Sequence, residues 1–311
     1  MSETLVFYSE LDPFEQWRGL LAPLLPGVRI VRSCDEVVDP ASVRYALVWK
    51  PPVGFFARFP NLQLVINLGA GVDSLVGRGD LPDVPITRLS DPDMARMMAG
   101  YVLFAVLRYA RDIPAFERAQ RERRWHYLHP REPSSIRVGV LGLGELGARA
   151  AQELARQGFS VRGWSRSPKV LEGIPCCAGQ EALPAFLASS DILVVMLPLT
   201  PQTRGLLDAE RLAMLPPGCC LINVSRGPVV DQAALTAALA SGHIAEATLD
   251  VFDREPLPPE DPLWGMDNVL ITPHLASVAL PASAAEQIAA NVARVREGRE
   301  VQHRVDPVRG Y

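Results

Sequence analysis

Residues 136–147 read Ile-Arg-Val-Gly-Val-Leu-Gly-Leu-Gly-Glu-Leu-Gly. Ile136 to Leu141 is a short apolar run, the texture of a buried strand. Gly142, Gly144 and Gly147 follow in the spacing G-x-G-x-x-G, and the pattern then predicts an amphipathic helix over Leu146 to Gln157. Strand, glycine loop and helix in that order build a turn that receives a pyrophosphate. Gly142 permits the sharp turn, Gly144 lets the backbone approach the ligand, and Gly147 lets helix and strand pack closely. The phosphates then face the positive end of the helix. A dinucleotide is the expected ligand of this loop.

The end of the next strand, Ser160 to Trp164, decides which dinucleotide. An NAD site carries Asp or Glu there, to accept from the ribose 2′-hydroxyl. Here Gly163-Trp-Ser-Arg-Ser-Pro-Lys169 contains no acid. Ser165 stands at the acidic position, with Arg166 and Ser167 behind it. A guanidinium pairs with a 2′-phosphate that a carboxylate would repel. NADP(H) is therefore expected in preference, with NAD(H) as the second option. The segment departs from the hydrolase elbow G-x-S-x-G at its fifth residue, Ser167, so a hydrolase is not expected.

Further strands are predicted at regular intervals: Ile192–Met196, Cys220–Val224, Ala247–Val251 and Val269–Thr272. Helical stretches such as Gln232–Leu239 lie between most of them. Such alternation builds a doubly wound parallel sheet covered on both faces. The first hundred residues hold shorter strands, Leu5–Tyr8, Tyr45–Trp49 and Leu64–Leu68, between Pro- and Gly-rich turns. A long apolar helix is predicted from Met94 to about Arg111. The last predicted helix, Pro281–Glu297, has no strand to feed and is expected to return to the first domain. The expectation is an α/β chain of two doubly wound domains with a cleft between them. Residues 1–98 with 281–311 would form one, and 99–280 the nucleotide-binding one.

Composition agrees with a globular chain. The 311 residues are 48% hydrophobic and 21% charged, and 31 basic against 35 acidic side chains give a net charge of −4. That balance argues against nucleic acid or a membrane surface as partner. The start Met1-Ser-Glu-Thr4 lacks the basic and apolar texture of a secretory leader. The five cysteines include two adjacent pairs, Cys176-Cys177 and Cys219-Cys220, which suit neither a disulfide framework nor a zinc site. Reduced thiols in a cytoplasmic protein are expected. His126 and His129 have no acid or thiol clustering around them, and no metal is expected.

Three motifs follow successive strands of the second domain: Asn223-Val-Ser-Arg-Gly227, Leu249-Asp-Val-Phe-Asp-Arg-Glu-Pro256 and Ile271-Thr-Pro-His-Leu-Ala-Ser277. With Leu197-Pro-Leu-Thr-Pro201 and Val229-Val-Asp231 they resemble the D-isomer-specific 2-hydroxyacid dehydrogenase family. In the first domain, Ala46-Leu-Val-Trp49 and Leu68-Gly-Ala-Gly-Val-Asp-Ser74 resemble its glyoxylate/hydroxypyruvate reductase branch, type A. The resemblance implies NADPH-dependent reduction of small 2-keto acids to D-2-hydroxy acids, in a homodimer. Two rival readings are a reductase of bulkier keto acids such as phenylpyruvate, and a dinucleotide-sensing binding protein.

The reaction needs a hydride donor, a proton donor for the carbonyl oxygen and a cation for the carboxylate. Histidine is the natural acid near neutrality, and His274 takes that role. A carboxylate such as Glu255 beside it favours the imidazolium and fixes the ring. Arg226 offers a permanent planar charge to grip the substrate and polarise its carbonyl. The resemblance makes these three the catalytic set, with Arg226 and His274 also touching substrate. It further implies that the backbone amides of Ala70 and Gly71 bind the substrate carboxylate and that Trp49 keeps the pocket small. Asp250 would bond the nicotinamide carboxamide, and Thr203 and Val224 would line the cofactor groove. Glu145, Leu146, Leu197, Pro198 and Ser225 complete the implied cofactor set. One departure stands out: many relatives carry glutamate where this chain has Gly100, so altered packing or hinge behaviour is expected there.

Overall fold

The apolar runs that mark the strands are buried on both faces, as parallel strands between two helical layers must be. A computed structural model of the chain describes residues 3–32 and 36–306. The Met1-Ser2 start, Cys34 and residues 307–311 lie outside that description. By its internal contacts the chain divides into two units, Met1–Met94 with Val278–Tyr311, and Ala95–Ser277.

The first unit holds five parallel strands, β1 (Glu3–Tyr8), β2 (Val28–Arg32), β3 (Val43–Val48), β4 (Leu64–Asn67) and β5 (Ile86–Arg88), in the order β2-β1-β3-β4-β5. Alternate side chains serve opposite faces, following the period of two of a strand. Leu5, Phe7, Tyr45, Leu47, Leu64 and Ile66 pack on one side with Trp17 and Leu21. Val6, Ala46, Val48 and Val65 pack on the other with Phe55, Phe56 and Phe59. The helix Pro281–Arg296 supplies Ala284, Ala285, Ile288 and Val292 to the first of these faces, so this unit is discontinuous in sequence.

The second unit holds β6 (Arg137–Leu141), β7 (Ser160–Ser165), β8 (Cys176–Ala178), β9 (Ile192–Val195), β10 (Cys219–Asn223), β11 (Ile244–Leu249) and β12 (Val269–Ile271). Their order is β12-β11-β10-β9-β6-β7-β8, and every pair is parallel. Val138, Val140, Val194 and Ile222 face Val102, Val106, Ala150 and Leu154, while Leu193, Val195, Leu221 and Leu249 face Phe186, Leu187, Leu235 and Leu239. Both units are thus doubly wound α/β layers.

The division falls a few residues before the expected 98/99 and 280/281. Met98, Val102 and Ala105 sit in the core of the second unit, whereas Met94 sits in that of the first. The helix Pro92–Ala110 therefore changes allegiance within its first turn. The four described cysteines are free thiols. Burial pushes the Cys219 thiol far up and the Cys220 thiol to about 12, which keeps both protonated and unreactive near neutrality. No helix among the described residues is long and apolar enough to cross a membrane.

Candidate active site

β6 lies inside its sheet with β7 on one side and β9 on the other, so the chain winds away in both directions from that point. Loops diverge there, and ligands of doubly wound sheets bind at this crevice beyond the strand ends. Gly142 follows β6 with φ +117°, and a Cβ there would lie 2.6 Å from the Met196 carbonyl oxygen. Only glycine fits so close to the chain leaving β9. Gly147 is tighter still: a Cβ would stand 1.9 Å from the Gly142 carbonyl oxygen. Gly144 is the N-cap of the helix Glu145–Arg156, and no side chain caps it. The helix therefore presents its first backbone N–H groups outward, as an anion requires.

Ser165 closes β7, and its hydroxyl donates to the Ser167 carbonyl at 2.8 Å. That bond folds the turn and leaves Arg166 exposed beside it. No carboxylate stands in this segment, so the turn has the charge a 2′-phosphate needs. The residues present fit a phosphorylated dinucleotide. After β9, the Thr203 hydroxyl donates to the Pro198 carbonyl at 2.6 Å and accepts from the Thr200 N–H at 2.8 Å. Here Thr203 works by shaping the Leu197–Thr203 turn.

The loop after β10 is tied down by a residue the sequence did not single out. Asn223 Oδ1 accepts from the Ser225 hydroxyl at 2.8 Å and from the Ser225 N–H at 3.1 Å, while its Nδ2 donates to the Arg226 carbonyl at 3.2 Å. Val224 and Ser225 are buried, and Arg226 emerges half-buried beyond them. Gly227 brings this loop against the next one. A Cβ on it would lie 1.9 Å from the Phe252 carbonyl carbon, so the two backbones touch where any side chain would part them.

Beyond that contact lies Glu255. Its Oε1 accepts from the Phe252 N–H at 3.2 Å, and its Oε2 pairs with His274 Nδ1 at 2.8 Å. Both partners are partly exposed, at 23% and 29%. With Nδ1 bonded to the carboxylate, Nε2 is the ring nitrogen left to exchange a proton with a ligand.

His274 itself sits in left-handed backbone, φ +56°. Its N–H donates to the Asp250 carbonyl at 2.9 Å, and the Asp250 carboxylate braces the same turn. That carboxylate accepts from the Thr272 hydroxyl at 2.6 Å, the Leu275 N–H at 2.9 Å and the Ala276 N–H at 2.9 Å. Asp250 is only 1% exposed, so its visible task is to hold the histidine turn. The Tyr101 hydroxyl joins from the long helix, 2.6 Å from Thr272 Oγ1. No sequence signal marks Asn223, Thr272 or Tyr101 for these tasks. The Asn223 and Thr272 positions lay within recognised motifs, but nothing in their spacing revealed the bonds they make. Gly100 faces open space, with nothing within 4 Å of a Cβ there, so neighbouring side chains do not require glycine at that position.

In the first unit, Trp49 follows β3 and its ring lies over Gly69, where a Cβ would be 2.6 Å from the indole. The Lys50 ammonium stands 5.7 Å from the centre of that ring. Ala70 and Gly71 are half-buried in the loop after β4. Among the described residues, no cluster of three or more His, Cys, Asp or Glu is placed to hold a metal ion.

Comparison with known proteins adds to this geometry. Residues 103–276 match the family model described as D-isomer specific 2-hydroxyacid dehydrogenase, NAD binding domain. Over 99% of its length the chain is 41% identical to glyoxylate/hydroxypyruvate reductase A of Yersinia enterocolitica, of which 99% is covered. A crystal structure of a D-isomer specific 2-hydroxyacid dehydrogenase from Xanthobacter autotrophicus Py2, in complex with NADPH and MES, is 66% identical. It superposes with a TM-score of 0.96 over 100% of both chains. The NADPH-dependent glyoxylate/hydroxypyruvate reductase of Sinorhizobium meliloti, solved with NADP and sulfate, is 36% identical. Its TM-score is 0.94, over 99% of this chain and 100% of that one.

Proposed function

The chain belongs to the D-isomer specific 2-hydroxyacid dehydrogenase family, and from that premise we propose that it reduces small 2-keto acids with NADPH. Glyoxylate and hydroxypyruvate are its substrates in this reading, and the product from hydroxypyruvate is the D-2-hydroxy acid. The observation that carries the proposal is the 2.8 Å pair of His274 and Glu255, in the same unit as Arg226 and the glycine loop.

NADPH, when bound, supplies the hydride. Arg226 grips the substrate carboxylate and polarises the carbonyl; His274 Nε2 gives the proton to the carbonyl oxygen. Glu255 holds Nδ1 and keeps the ring from turning. Ala70 and Gly71 offer backbone N–H groups to the carboxylate, and Trp49 restricts what can follow the carbonyl carbon. Gly142, Gly144, Glu145, Leu146 and Gly147 cradle the pyrophosphate, with Ser165, Arg166 and Ser167 at the 2′-phosphate. Leu197, Pro198, Thr203, Val224 and Ser225 line the remaining groove. A parallel assay of NADPH oxidation with glyoxylate, hydroxypyruvate and phenylpyruvate tests the reading. The two small acids should be turned over more efficiently, and a preference for phenylpyruvate would refute the assignment of Trp49 as a size limit.

Arg166→Asp should weaken NADPH binding far more than NADH binding, because a charge-assisted contact is lost and a repulsion added. The expected loss for NADPH is roughly 10- to 150-fold, the range for a hydrogen bond to a charged group. Equal weakening of both cofactors, measured by fluorescence titration, would remove Arg166 from the 2′-phosphate site.

The proposed enzyme is a cytoplasmic homodimer. Apolar side chains stand exposed along one segment, among them Trp125 at 98%, Tyr127 at 74% and Phe104 at 52%, and a second copy would cover them. Light scattering should then report twice the 33.9 kDa chain mass. Arg substituted for Trp125 should shift the mass toward one chain, and a monomeric parent protein would contradict the proposal.

A further inference from the structure

Asn67 ends β4 with its side chain fully buried. Its Nδ2 donates to two carbonyls of the loop that follows, Gly69 and Gly71, each at 2.9 Å. Its Oδ1 is buried and has no hydrogen-bond partner. Turning the amide over would set that oxygen against two carbonyl oxygens, so the chemistry fixes its orientation. An unpaired acceptor in the interior opposes folding, and its presence at a loop next to Trp49 calls for a reason beyond packing.

The reason lies in the peptide planes. Because a trans peptide is flat, the Ala70 N–H points opposite the Gly69 carbonyl. Drawing in the carbonyls of Gly69 and Gly71 fixes the planes on either side of the Ala70–Gly71 peptide. The Leu89 N–H holds the Gly69 carbonyl from a second direction, at 3.0 Å. Among the described residues, neither the Ala70 nor the Gly71 N–H has an acceptor. Trp49 lies over Gly69 and walls the same loop.

We propose that Asn67 is the positioning residue of an anion-binding turn, holding two carbonyls inward so that the Ala70 and Gly71 amides stay aimed at a substrate carboxylate. The proposal rests on the reading above that this loop takes the carboxylate of a 2-keto acid. Asn67 would never touch substrate, and its effect would appear in substrate affinity.

Asn67→Ala and Asn67→Asp are to be compared with the parent enzyme in glyoxylate reduction and in calorimetric binding of oxamate, a non-reacting keto-acid analogue, to the NADPH-loaded protein. Asn67→Ala should raise the glyoxylate KM and the oxamate Kd by roughly tenfold or more, the size expected from freeing two hydrogen-bonded carbonyls. The kcat and the NADPH affinity should stay near the parent values. Asn67→Asp should be worse, because its carboxylate repels both the loop carbonyls and the anion. If Asn67→Ala does not fold, Asn67→Ser, which can serve one carbonyl but not both, should give an intermediate KM. An active parent enzyme with unchanged KM and oxamate affinity in the variants would overturn the proposal. So would a fall in kcat and melting temperature with KM constant. A parent enzyme inactive on every keto acid would overturn the reductase reading along with it.

Discussion

Replacing His274 with alanine is expected to slow keto-acid reduction by ~10²–10⁴-fold, the range that general acid catalysis supplies. NADPH binding should survive, because the glycine loop and the Ser165 turn are built on other strands. Glu255→Gln separates the acid from its partner. The imidazole remains, but the carboxylate 2.8 Å from Nδ1 becomes a neutral amide, and the ring loses the partner that holds it. Reduction needs Nε2 held toward the carbonyl oxygen. Glu255→Gln should therefore lose part of the rate, and less than His274→Ala loses. A Glu255→Gln rate equal to the parent rate would show that the two residues do not act as a pair.

Arg226→Gln is expected to cost about 10²–10³-fold in kcat/KM, comparable to removing one preorganised donor from a developing oxyanion. Glutamine keeps much of the length but has neither the permanent charge nor the two-pronged fork. Arg226→Lys restores the charge without the fork, and should recover only part of the loss. The prediction depends on how firmly the arginine is presented. Asn223 bonds the Arg226 carbonyl, and the Gly227 backbone abuts Phe252, so the side chain springs from a braced loop. Full recovery by lysine would mean that only charge matters there. An unaffected kcat/KM in Arg226→Gln would remove the residue from the mechanism.

The parts of this protein that the sequence made legible are those that repeat a local pattern. Ile136 to Gly147 spelled strand, turn and helix because each element follows its own period, and Gly142 and Gly147 mark places where a Cβ would collide with backbone. The strands β2, β5 and β8 were not foreseen. β5 and β8 are three residues long, and β2 is partly exposed, so neither alternation nor an apolar run marks them. Arg226, Glu255 and His274 were named through the motifs, with Glu255 placed beside His274, yet the bonds that brace their loops were not. Asn223, Thr272 and Tyr101 act through hydrogen bonds to residues nearby in space, with no periodic trace in the chain. Asp250 shows the same limit from the other side. Its motif marked it for the cofactor, and only the fold shows that its carboxylate also takes donors from the His274 turn. Asn67 reads as one polar residue at the end of an apolar strand, and only the folded loop shows two carbonyls drawn to it.

Reduction of hydroxypyruvate by this protein is tested most directly by the identity and handedness of the product. Hydroxypyruvate and NADPH are incubated with the purified protein, and the glycerate formed is resolved by chiral chromatography beside the NADP⁺ released. D-glycerate alone is expected, in one-to-one ratio with NADPH consumed. L-glycerate, a mixture of both hands, or NADPH left unconsumed would contradict it.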